Sequence, residues 1–527
     1  MRWRWHHNLM VQSQRTDSKR PHVVLVKPPL RVTKASYSTL ACPPLALALV
    51  AAALEKSDCE VTIIDALGEA PRRYTPTANS RFVRLGLSDD EIVARLPRSA
   101  TYIGVTAMFT EEWPLIRSVI QAIRKARPEA IIVAGGEHAS AAPKFTIEDS
   151  AAVDACVIGE GENTAVELAW ALHEGRPVAD VAGVVTLEQG RLVRGERRAR
   201  QRDLDALPWP AWHLLPLENY LDHGLGYGIG RNRSLPLLAT RGCPYTCTFC
   251  SNEKMWGIRW SARDPADVVA EIRAAVQRYA ITNVDFYDLT AVLQRRWILR
   301  FCRLMAEADL KVTLQIPSGT RSEVLDEEVL RALKGAGCHH IVYAPESGSP
   351  SLLKRVKKRI CLDRMTESMI TAVKVGMTVK CNFIIGFPDE TEAEIRETIA
   401  YCAQLAKIGV QDVNLGPFCP YPGSDLYDEL VAEGALPVMS DAYCDTLAMY
   451  SDLSRSLSFS RHLSSRKLHA YRIAGMALFY GSSTLRRPIR LFEIVRNIKT
   501  GKHQTRLDRA LSDMTRRFAD SLLRRAN

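Results

Sequence analysis

The sequence predicts an α/β protein built from two consecutive α/β domains. Runs typical of buried strands alternate with helical runs through residues 22–175, and the same alternation restarts at residue 235. A chain of 527 residues is also too long for one hydrophobic core. Between the two alternating regions lies a segment dense in proline and tryptophan, "LPWPAWHLLP". We therefore divide the chain into an extension (1–21), a first domain (22–198), a connector (199–234), a second domain (235–430) and a helical C-terminal region (431–527).

The composition is typical of a soluble globular protein, with 46% hydrophobic and 24% charged residues. No apolar run reaches the ~20 residues of a membrane span, and the basic, polar start lacks the apolar stretch of a signal peptide. Apart from one group of three, the 13 cysteines are scattered, unlike the disulfide framework of a secreted domain. We expect a cytoplasmic protein.

In the first domain, five strand-like runs are separated by helical runs. The predicted strands are 22–29, 59–66, 102–108, 130–136 and 153–162, and the predicted helices are 44–56, 112–128 and 163–175. This alternation predicts a doubly wound parallel sheet of the flavodoxin-like type. In such sheets, ligands bind beyond the carboxyl ends of the strands.

Special residues occur where these predicted strands end. Gly135 and Gly136 lie in "AGGEHAS", Gly159 and Gly161 lie in "IGEGE", and Thr106 lies near the end of a third strand. Glycine lets the backbone approach a bulky ligand, although each motif taken alone is equally typical of an ordinary turn. Because the ends of parallel strands meet at one edge, the motifs together favour a large ligand across that edge.

The second domain contains six further strand–helix units. The predicted strands are 235–240, 283–288, 310–317, 339–347, 378–388 and 410–418, with helical stretches such as 264–280, 326–337 and 391–408 between them. Six such units predict a partial (β/α)6 barrel of the TIM type. Its active site is expected at the carboxyl ends of the strands.

Three cysteines follow the first of these strands in "ATRGCPYTCTFCSN", with the spacing CxxxCxxC. They are Cys243, Cys247 and Cys250. Thiolates bind iron–sulfur clusters, which normally take four, so a loop of three leaves one iron open to another ligand. A zinc site completed by a distant histidine, or free cysteines, are the alternatives. The position of the motif after the first barrel strand favours the cluster.

With this loop the second domain resembles the radical S-adenosylmethionine (SAM) enzymes. The resemblance implies that Cys243, Cys247 and Cys250 hold a [4Fe–4S] cluster whose fourth iron is chelated by SAM. It also implies reductive cleavage of SAM to a 5′-deoxyadenosyl radical, with electrons from a donor such as flavodoxin or ferredoxin. Phe249, just before the last cysteine, matches the aromatic position near the adenine.

Further motifs along the barrel extend the resemblance. They are "FYDLT", where Tyr287 replaces the first of two expected aspartates, "GTRSE", "APESGS" and "IIGFPDET". The SAM contacts implied by these motifs, besides Phe249, are Asp288, Arg321, Glu346, Ser347, Ile385 and Gly386.

The first domain resembles the cobalamin-binding domain found in one large subgroup of these enzymes. The resemblance lies in "PPLALALVAAAL", "GGEHAS" and "GEGE". After the barrel, "PYPGSDLY" is similar to a segment of the same subgroup. The implied cobalamin contacts are Asp65, Thr106, Gly135, Gly136, Glu137, His138, Gly159, Glu160 and Gly161. Many cobalamin proteins place a cobalt-binding histidine two residues after this aspartate, but here Leu67 occupies that position. We therefore expect a base-off cofactor without a histidine ligand from this loop, and we expect His138 to pack or to contact the cofactor tail.

The resemblance implies a cobalamin-dependent radical methyltransferase acting on an unactivated carbon of a small-molecule, natural-product or lipid-like substrate. The cofactors would supply the reactive chemistry, and the protein would position the substrate and exclude water and oxygen. One alternative is a cyclase or ring-rearranging enzyme with the same cofactors and no methyl transfer. Another, of a different class, is a non-catalytic protein that senses cobalamin or redox state.

The net charge of +11 comes from the end of the chain, where residues 461–527 hold 16 Lys and Arg against 4 Asp and Glu. Apolar residues recur there at helical spacing between arginines. A helical cap on the barrel with a solvated basic face explains this pattern. The alternative is a surface for anionic membrane lipid, a phosphorylated substrate or an acidic carrier protein. Binding to nucleic acid is not expected, because no known reading module is visible.

Overall fold

The computed structural model describes residues 19–36, 41–229, 233–500, 503–505 and 507–512. The strands of the first domain are β1 (His22–Lys27), β2 (Leu30–Thr33), β3 (Glu60–Asp65), β4 (Tyr74–Pro76), β5 (Phe82–Leu85), β6 (Tyr102–Thr106), β7 (Ile132–Gly135), β8 (Ala155–Val157), β9 (Val184–Glu188) and β10 (Arg191–Arg194). Its helices are α1 (Leu45–Lys56), α2 (Asp89–Ala94), α3 (Trp113–Ala126), α4 (Glu137–Ala141), α5 (Pro143–Asp149) and α6 (Glu162–His173).

Seven of these strands form one sheet in the order β10-β9-β8-β7-β6-β1-β3. Five neighbouring strands of this sheet are parallel, namely β3, β1, β6, β7 and β8. They coincide with the five predicted strand runs. Separate apolar cores cover its two faces, one containing α3 and the other containing α1 and α6. The doubly wound fold predicted for the first domain is therefore confirmed.

Two antiparallel features were not predicted. The strands β2, β5 and β4 form a small separate sheet, and the hairpin β9–β10 extends the main sheet beyond β8. These strands have three to five residues each, too short for a clear period of apolar residues. They are stabilised by packing that only the folded chain provides.

The second domain has strands β11 (Ser234–Leu237), β12 (Thr240–Arg241), β13 (Ser261–Ala262), β14 (Asn283–Phe286), β15 (Thr313–Thr320), β16 (Cys338–Glu346), β17 (Thr378–Ile385) and β18 (Asp412–Pro417). Helices from the connector to the end of this domain are α7 (Leu217–Asp222), α8 (Asn252–Trp256), α9 (Pro265–Tyr279), α10 (Arg295–Ala308), α11 (Glu327–Gly335), α12 (Pro350–Arg355), α13 (Leu362–Lys374), α14 (Glu392–Ile408) and α15 (Asp425–Ala432).

Six strands of the second domain form a parallel sheet in sequential order, β11-β14-β15-β16-β17-β18. Within the described residues β18 does not pair with β11, so the sheet stays open along one side. Local signals position its helices. Thr391 and Glu394 form a capping box that begins α14, and Asp264 caps α9 directly before Pro265.

The C-terminal region contains α16 (Asp441–Leu447), α17 (Ser465–Arg486) and α18 (Ile489–Thr500). Helix α17 buries Leu468, Gly475 and Phe479, and it packs against α14 and β18. This helix therefore covers β18, the last strand of the second sheet. Within the described part of the chain, every helix is too short or too polar to serve as a membrane span.

Candidate functional site

The cysteine loop begins where β11 ends, and a buried carboxylate holds its start. Asp288 accepts hydrogen bonds from the backbone N–H of Ala239 (3.1 Å) and from the Thr240 hydroxyl (2.6 Å). Burial raises the pKa of Asp288 to about 6, although these hydrogen bonds oppose the shift. Asp288 was predicted as a polar contact of SAM. In the structure its carboxylate binds the chain that leads into the loop.

The three cysteines share one short loop, in which the backbone N–H of Cys250 donates to the Cys247 carbonyl (3.0 Å). Cys247 and Cys250 line a cavity of about 350 Å³. Among the described residues, no group of three or more His, Cys, Asp or Glu side chains is arranged to hold a metal ion. The donor set fits a cluster that takes three protein thiolates, although the loop is not closed around a common point.

Positive charge lies beside the cysteine loop. The Lys358 ammonium pairs with Glu346 at 2.8 Å, and both side chains are nearly buried. Burial raises the pKa of the Cys247 thiol, and the charge of Lys358 opposes that rise. On the other side, the Arg321 guanidinium lies 3.4 Å from the centroid of the Tyr245 ring. The structure thus brings the predicted residues Arg321 and Glu346 close to the loop.

The remaining predicted SAM contacts lie at strand ends. The Ser347 hydroxyl hydrogen-bonds the Thr398 hydroxyl at 2.9 Å. The ring of Phe249 contacts the ring of Phe387, with centroids 5.5 Å apart. Phe249 belongs to the cysteine loop, so its ring contact packs the loop against a residue that follows β17.

Ile385 is the last residue of β17, and Gly386 follows it with a φ of 84°. A Cβ on Gly386 would lie 2.7 Å from Leu468 of α17, so this turn requires glycine. The Gly386 N–H donates to the Glu390 carboxylate, whose pKa burial raises to about 8.

The predicted cobalamin contacts at the glycine motifs lie together at the carboxyl edge of the first sheet. Thr106 pairs in register with Gly135, and Gly136 adopts a φ of 117°. A Cβ on Gly136 would lie 2.7 Å from the Ala107 carbonyl oxygen, so only glycine fits this turn. Gly159 and Gly161 lie between the next strand, β8, and helix α6.

Side chains from this sheet edge reach directly to the cysteine loop. The Ser251 hydroxyl, next to Cys250, donates to Glu137 at the start of α4. Arg241, before the first cysteine, pairs with Glu160 (3.2 Å) and Glu162 (2.5 Å). The carboxylates of Glu137 and Glu160, predicted to contact cobalamin, therefore bind residues of the second domain. These contacts place the ends of the two sheets against each other.

Asp65 and His138 both lie inside the first domain. Asp65 accepts hydrogen bonds from the Gly68 N–H and the Tyr220 hydroxyl, each at 2.8 Å, and burial raises its pKa to about 6. His138 Nδ1 hydrogen-bonds the Thr110 hydroxyl at 3.0 Å, and its ring lies 4.8 Å from that of Trp113. Burial lowers the pKa of His138 to about 3, which keeps it neutral. His138 therefore packs inside the first domain, and its predicted contact with the cofactor tail stays a prediction.

Sequence reasoning missed Arg241, Ser251, Lys358 and Glu111. Glu111 follows β6, and within the described chain its buried Oε2 atom has no hydrogen-bond partner. Burial raises its pKa to about 8, and the nearby charges of Glu112 and Glu137 add to the rise. The one signal for Glu111 in the sequence was the pair of adjacent acids in "TEEW", which follows a predicted strand.

Comparison with known families supports a site formed by the edge of the first sheet and the cysteine loop. A model of the B12-binding domain matches residues 35–169, and a model of the Radical SAM superfamily matches residues 237–402. The first match covers the sheet edge with the glycine motifs, and the second covers the cysteine loop.

Relatives match most of the chain. An uncharacterized methyltransferase of Pyrococcus horikoshii is 28% identical over 79% of this chain and 85% of its own length. Cytidylyl-2-hydroxyethylphosphonate methyltransferase of Streptomyces wedmorensis is 29% identical over 74% of this chain and 78% of its own length. An anaerobic magnesium-protoporphyrin IX monomethyl ester cyclase of Rubrivivax gelatinosus is 27% identical over 65% of this chain and 61% of its own length.

Among solved structures, the radical SAM methyltransferase TsrM of Kitasatospora setae, with cobalamin and a [4Fe–4S] cluster bound, has a TM-score of 0.63. It is 20% identical and covers 80% of this chain and 76% of its own, which shows a shared fold. This chain carries a B12-binding domain followed by a radical SAM domain, and methyltransferases are among its relatives.

Proposed function

We propose that the protein is a cobalamin-dependent radical SAM methyltransferase that acts on an unactivated carbon of a small-molecule substrate. The observation that carries this proposal is the direct contact between the cysteine loop and the first sheet. Glu137 and Glu160, next to the predicted cobalamin glycines, contact Ser251 and Arg241 on either side of the cysteines. These contacts support two neighbouring cofactor sites, one on each domain.

The cofactors would bring the reactive chemistry: a hydrogen-abstracting radical from SAM at the cluster, and a transferable methyl group on cobalt. The residues of this chain would bind the cofactors. Cys243, Cys247 and Cys250 would supply the cluster thiolates, and the ammonium group of Lys358 would offset part of their negative charge. The turns at Gly136 and Gly159 would let the backbone approach cobalamin closely.

Two residues of the first domain bear on whether a histidine would ligate cobalt. Leu67, which replaces the usual histidine, is 1% exposed, and His138 is held by Thr110 inside the domain. Leu67 has no imidazole, and the buried imidazole of His138 would not ligate cobalt. We therefore propose a base-off cobalamin without a histidine ligand.

The test is anaerobic reconstitution of the full chain with iron, sulfide and cobalamin, followed by reduction and addition of SAM. The substrate panel follows the relatives: a cytidylylated phosphonate, a porphyrin methyl ester and a hopanoid lipid, the last because a hopanoid C-3 methylase is 24% identical over 61% of this chain. The measured products are 5′-deoxyadenosine, S-adenosylhomocysteine and methylated substrate.

We expect 5′-deoxyadenosine and S-adenosylhomocysteine in equal amounts that depend on the substrate, together with methylated substrate. Deoxyadenosine without S-adenosylhomocysteine would favour the second candidate, a cyclase or ring-rearranging enzyme, which the cyclase relatives support. Release of deoxyadenosine that persists in Cys247→Ala would contradict the assigned cluster site. The matched control is Cys361→Ala, since Cys361 is exposed and lies outside the loop.

A further inference from the structure

The end of helix α17 and the whole of α18 expose an unusual number of apolar side chains. Of the fourteen exposed large apolar residues in the described chain, seven lie between residues 473 and 495. The most exposed are Leu485 (86%), Phe492 (78%) and Ile489 (66%). Leu491 and Val495 lie one turn apart on α18, and each is 52% exposed. We call residues 485–499 the apolar–basic segment.

Positive charges surround these apolar side chains. The segment contains Arg486, Arg487, Arg490, Arg496 and Lys499 against a single acid, Glu493. An apolar patch rimmed by cations is complementary to a surface that offers both hydrocarbon and negative charge. An anionic lipid bilayer offers both, and each cation near its surface adds to the attraction.

The contacts of α17 show which end of the barrel carries this segment. At the start of the helix, Leu468 lies against Gly386, just after the carboxyl end of β17. Further along, the Tyr480 hydroxyl donates to Asp412, the first residue of β18, and the Arg487 guanidinium lies against Gly409. Helix α17 therefore runs antiparallel to β18. The apolar–basic segment lies at the amino-terminal end of the strands, opposite to the cysteine loop.

We infer that the apolar–basic segment is a docking surface for an anionic lipid bilayer. The membrane would bind the end of the barrel remote from the cysteines, so the segment acts as a tether and does not place the site against lipid. This inference is independent of the proposed chemistry, because none of its residues belongs to either predicted cofactor site.

The test is co-sedimentation of the purified full chain with vesicles of phosphatidylcholine, with and without phosphatidylglycerol. We expect binding to the anionic vesicles alone, weakened by added salt. Replacing two apolar side chains, Leu485→Ser with Phe492→Ser, should lower the vesicle affinity at least about tenfold. Replacing Arg496 and Lys499 by glutamine should lower it about fivefold for each charge.

Matched controls are Val438→Ser, which changes an 88% exposed apolar residue elsewhere, and Lys311→Gln, which changes an exposed lysine on the barrel. Both should bind vesicles like the wild type. Equal binding to neutral and anionic vesicles, or no loss in either segment variant, would overturn the inference. So would light scattering that shows a dimer dissociated by the Leu485 and Phe492 changes, because the segment would then be covered by a second copy.

Discussion

At the scale of single residues, Glu111 offers a test that needs no substrate. Burial raises its pKa to about 8, so the folded protein holds a proton that the unfolded chain releases near its ordinary pKa of 4.5. Its contribution to the free energy of unfolding is therefore present at low pH and is lost as pH rises through 8. Glu111→Gln should make the protein more stable than the wild type at pH 9, by about 2–4 kcal/mol.

Urea unfolding of the cofactor-free protein between pH 5 and 9 would measure this difference. The control is Glu91→Gln, because hydrogen bonds from Arg73 and Ser88 lower the pKa of Glu91 to about 2. Glu91 stays ionised throughout the range, so its variant should follow the pH dependence of the wild type. A Glu111→Gln curve parallel to that of the wild type would contradict the prediction.

His138 gives a second prediction at this scale. Since its ring is 1% exposed, hydrogen-bonded to Thr110 and packed on Trp113, it should not bind cobalt. The electron paramagnetic resonance spectrum of cob(II)alamin bound to the wild type should show no nitrogen splitting, and His138→Gln should not change it. The variant should lose about 1–3 kcal/mol of unfolding free energy through lost packing. Nitrogen splitting that disappears in the variant would show that the histidine is a ligand.

At the scale of elements, the ion pairs of Arg241 join strand β12, just before the first cysteine, to the start of helix α6. The guanidinium is 3% exposed and faces two nearly buried carboxylates, Glu160 and Glu162. Arg241→Met would leave Glu162 buried without its cation, and Glu160 would keep only Arg200 and the Gln201 N–H as partners. We expect a loss of about 3–5 kcal/mol in the free energy of unfolding.

Chemical unfolding of the two proteins would measure this loss. Arg295→Gln is the control, because Arg295 pairs with Asp326 and Glu328 on the exposed surface. It should unfold like the wild type, since exposed ion pairs contribute little to stability. An Arg241→Met protein as stable as the wild type would show that the domains do not depend on this contact.

At the scale of the whole molecule, most of each domain's apolar core comes from its own residues, although Leu45 and Ala48 of α1 also pack into the core of the second domain. The first sheet is packed between its own helices, and the main core of the second domain surrounds β11 to β18. Loss of one cofactor should therefore not unfold the site of the other. Cys247→Ala should lose the iron–sulfur absorption and bound iron while its affinity for cobalamin stays within about twofold of the wild type.

Absorption spectra and iron analysis after reconstitution, together with cobalamin titration, would check this prediction. Cys361→Ala should retain both cofactors. A Cys247→Ala protein that binds no cobalamin would show that the cysteine loop also shapes the first domain.

Much of the fold could be predicted because its signals are local. Each central strand is a short apolar run, and the main helices have their own periodicity. Helix α14, for example, begins at Glu392, directly after the Thr391 of its capping box. The small sheet of β2, β4 and β5 could not be predicted. Its strands are stabilised by contacts between segments distant in the chain, such as the packing of Leu85 with Leu30 and Tyr220.

The sequence by itself determined the order of the two domains and the positions of the cysteines and turn glycines, because spacing along the chain encodes them. The tertiary structure decided which side chains surround the cysteine loop. Lys358 and Glu137 approach it from other elements, Arg241 joins its start to helix α6, and Asp288 holds its first residues. The fold also decided that α17 covers the barrel while α18 stays exposed, because which apolar face is buried depends on the surfaces available in the folded chain.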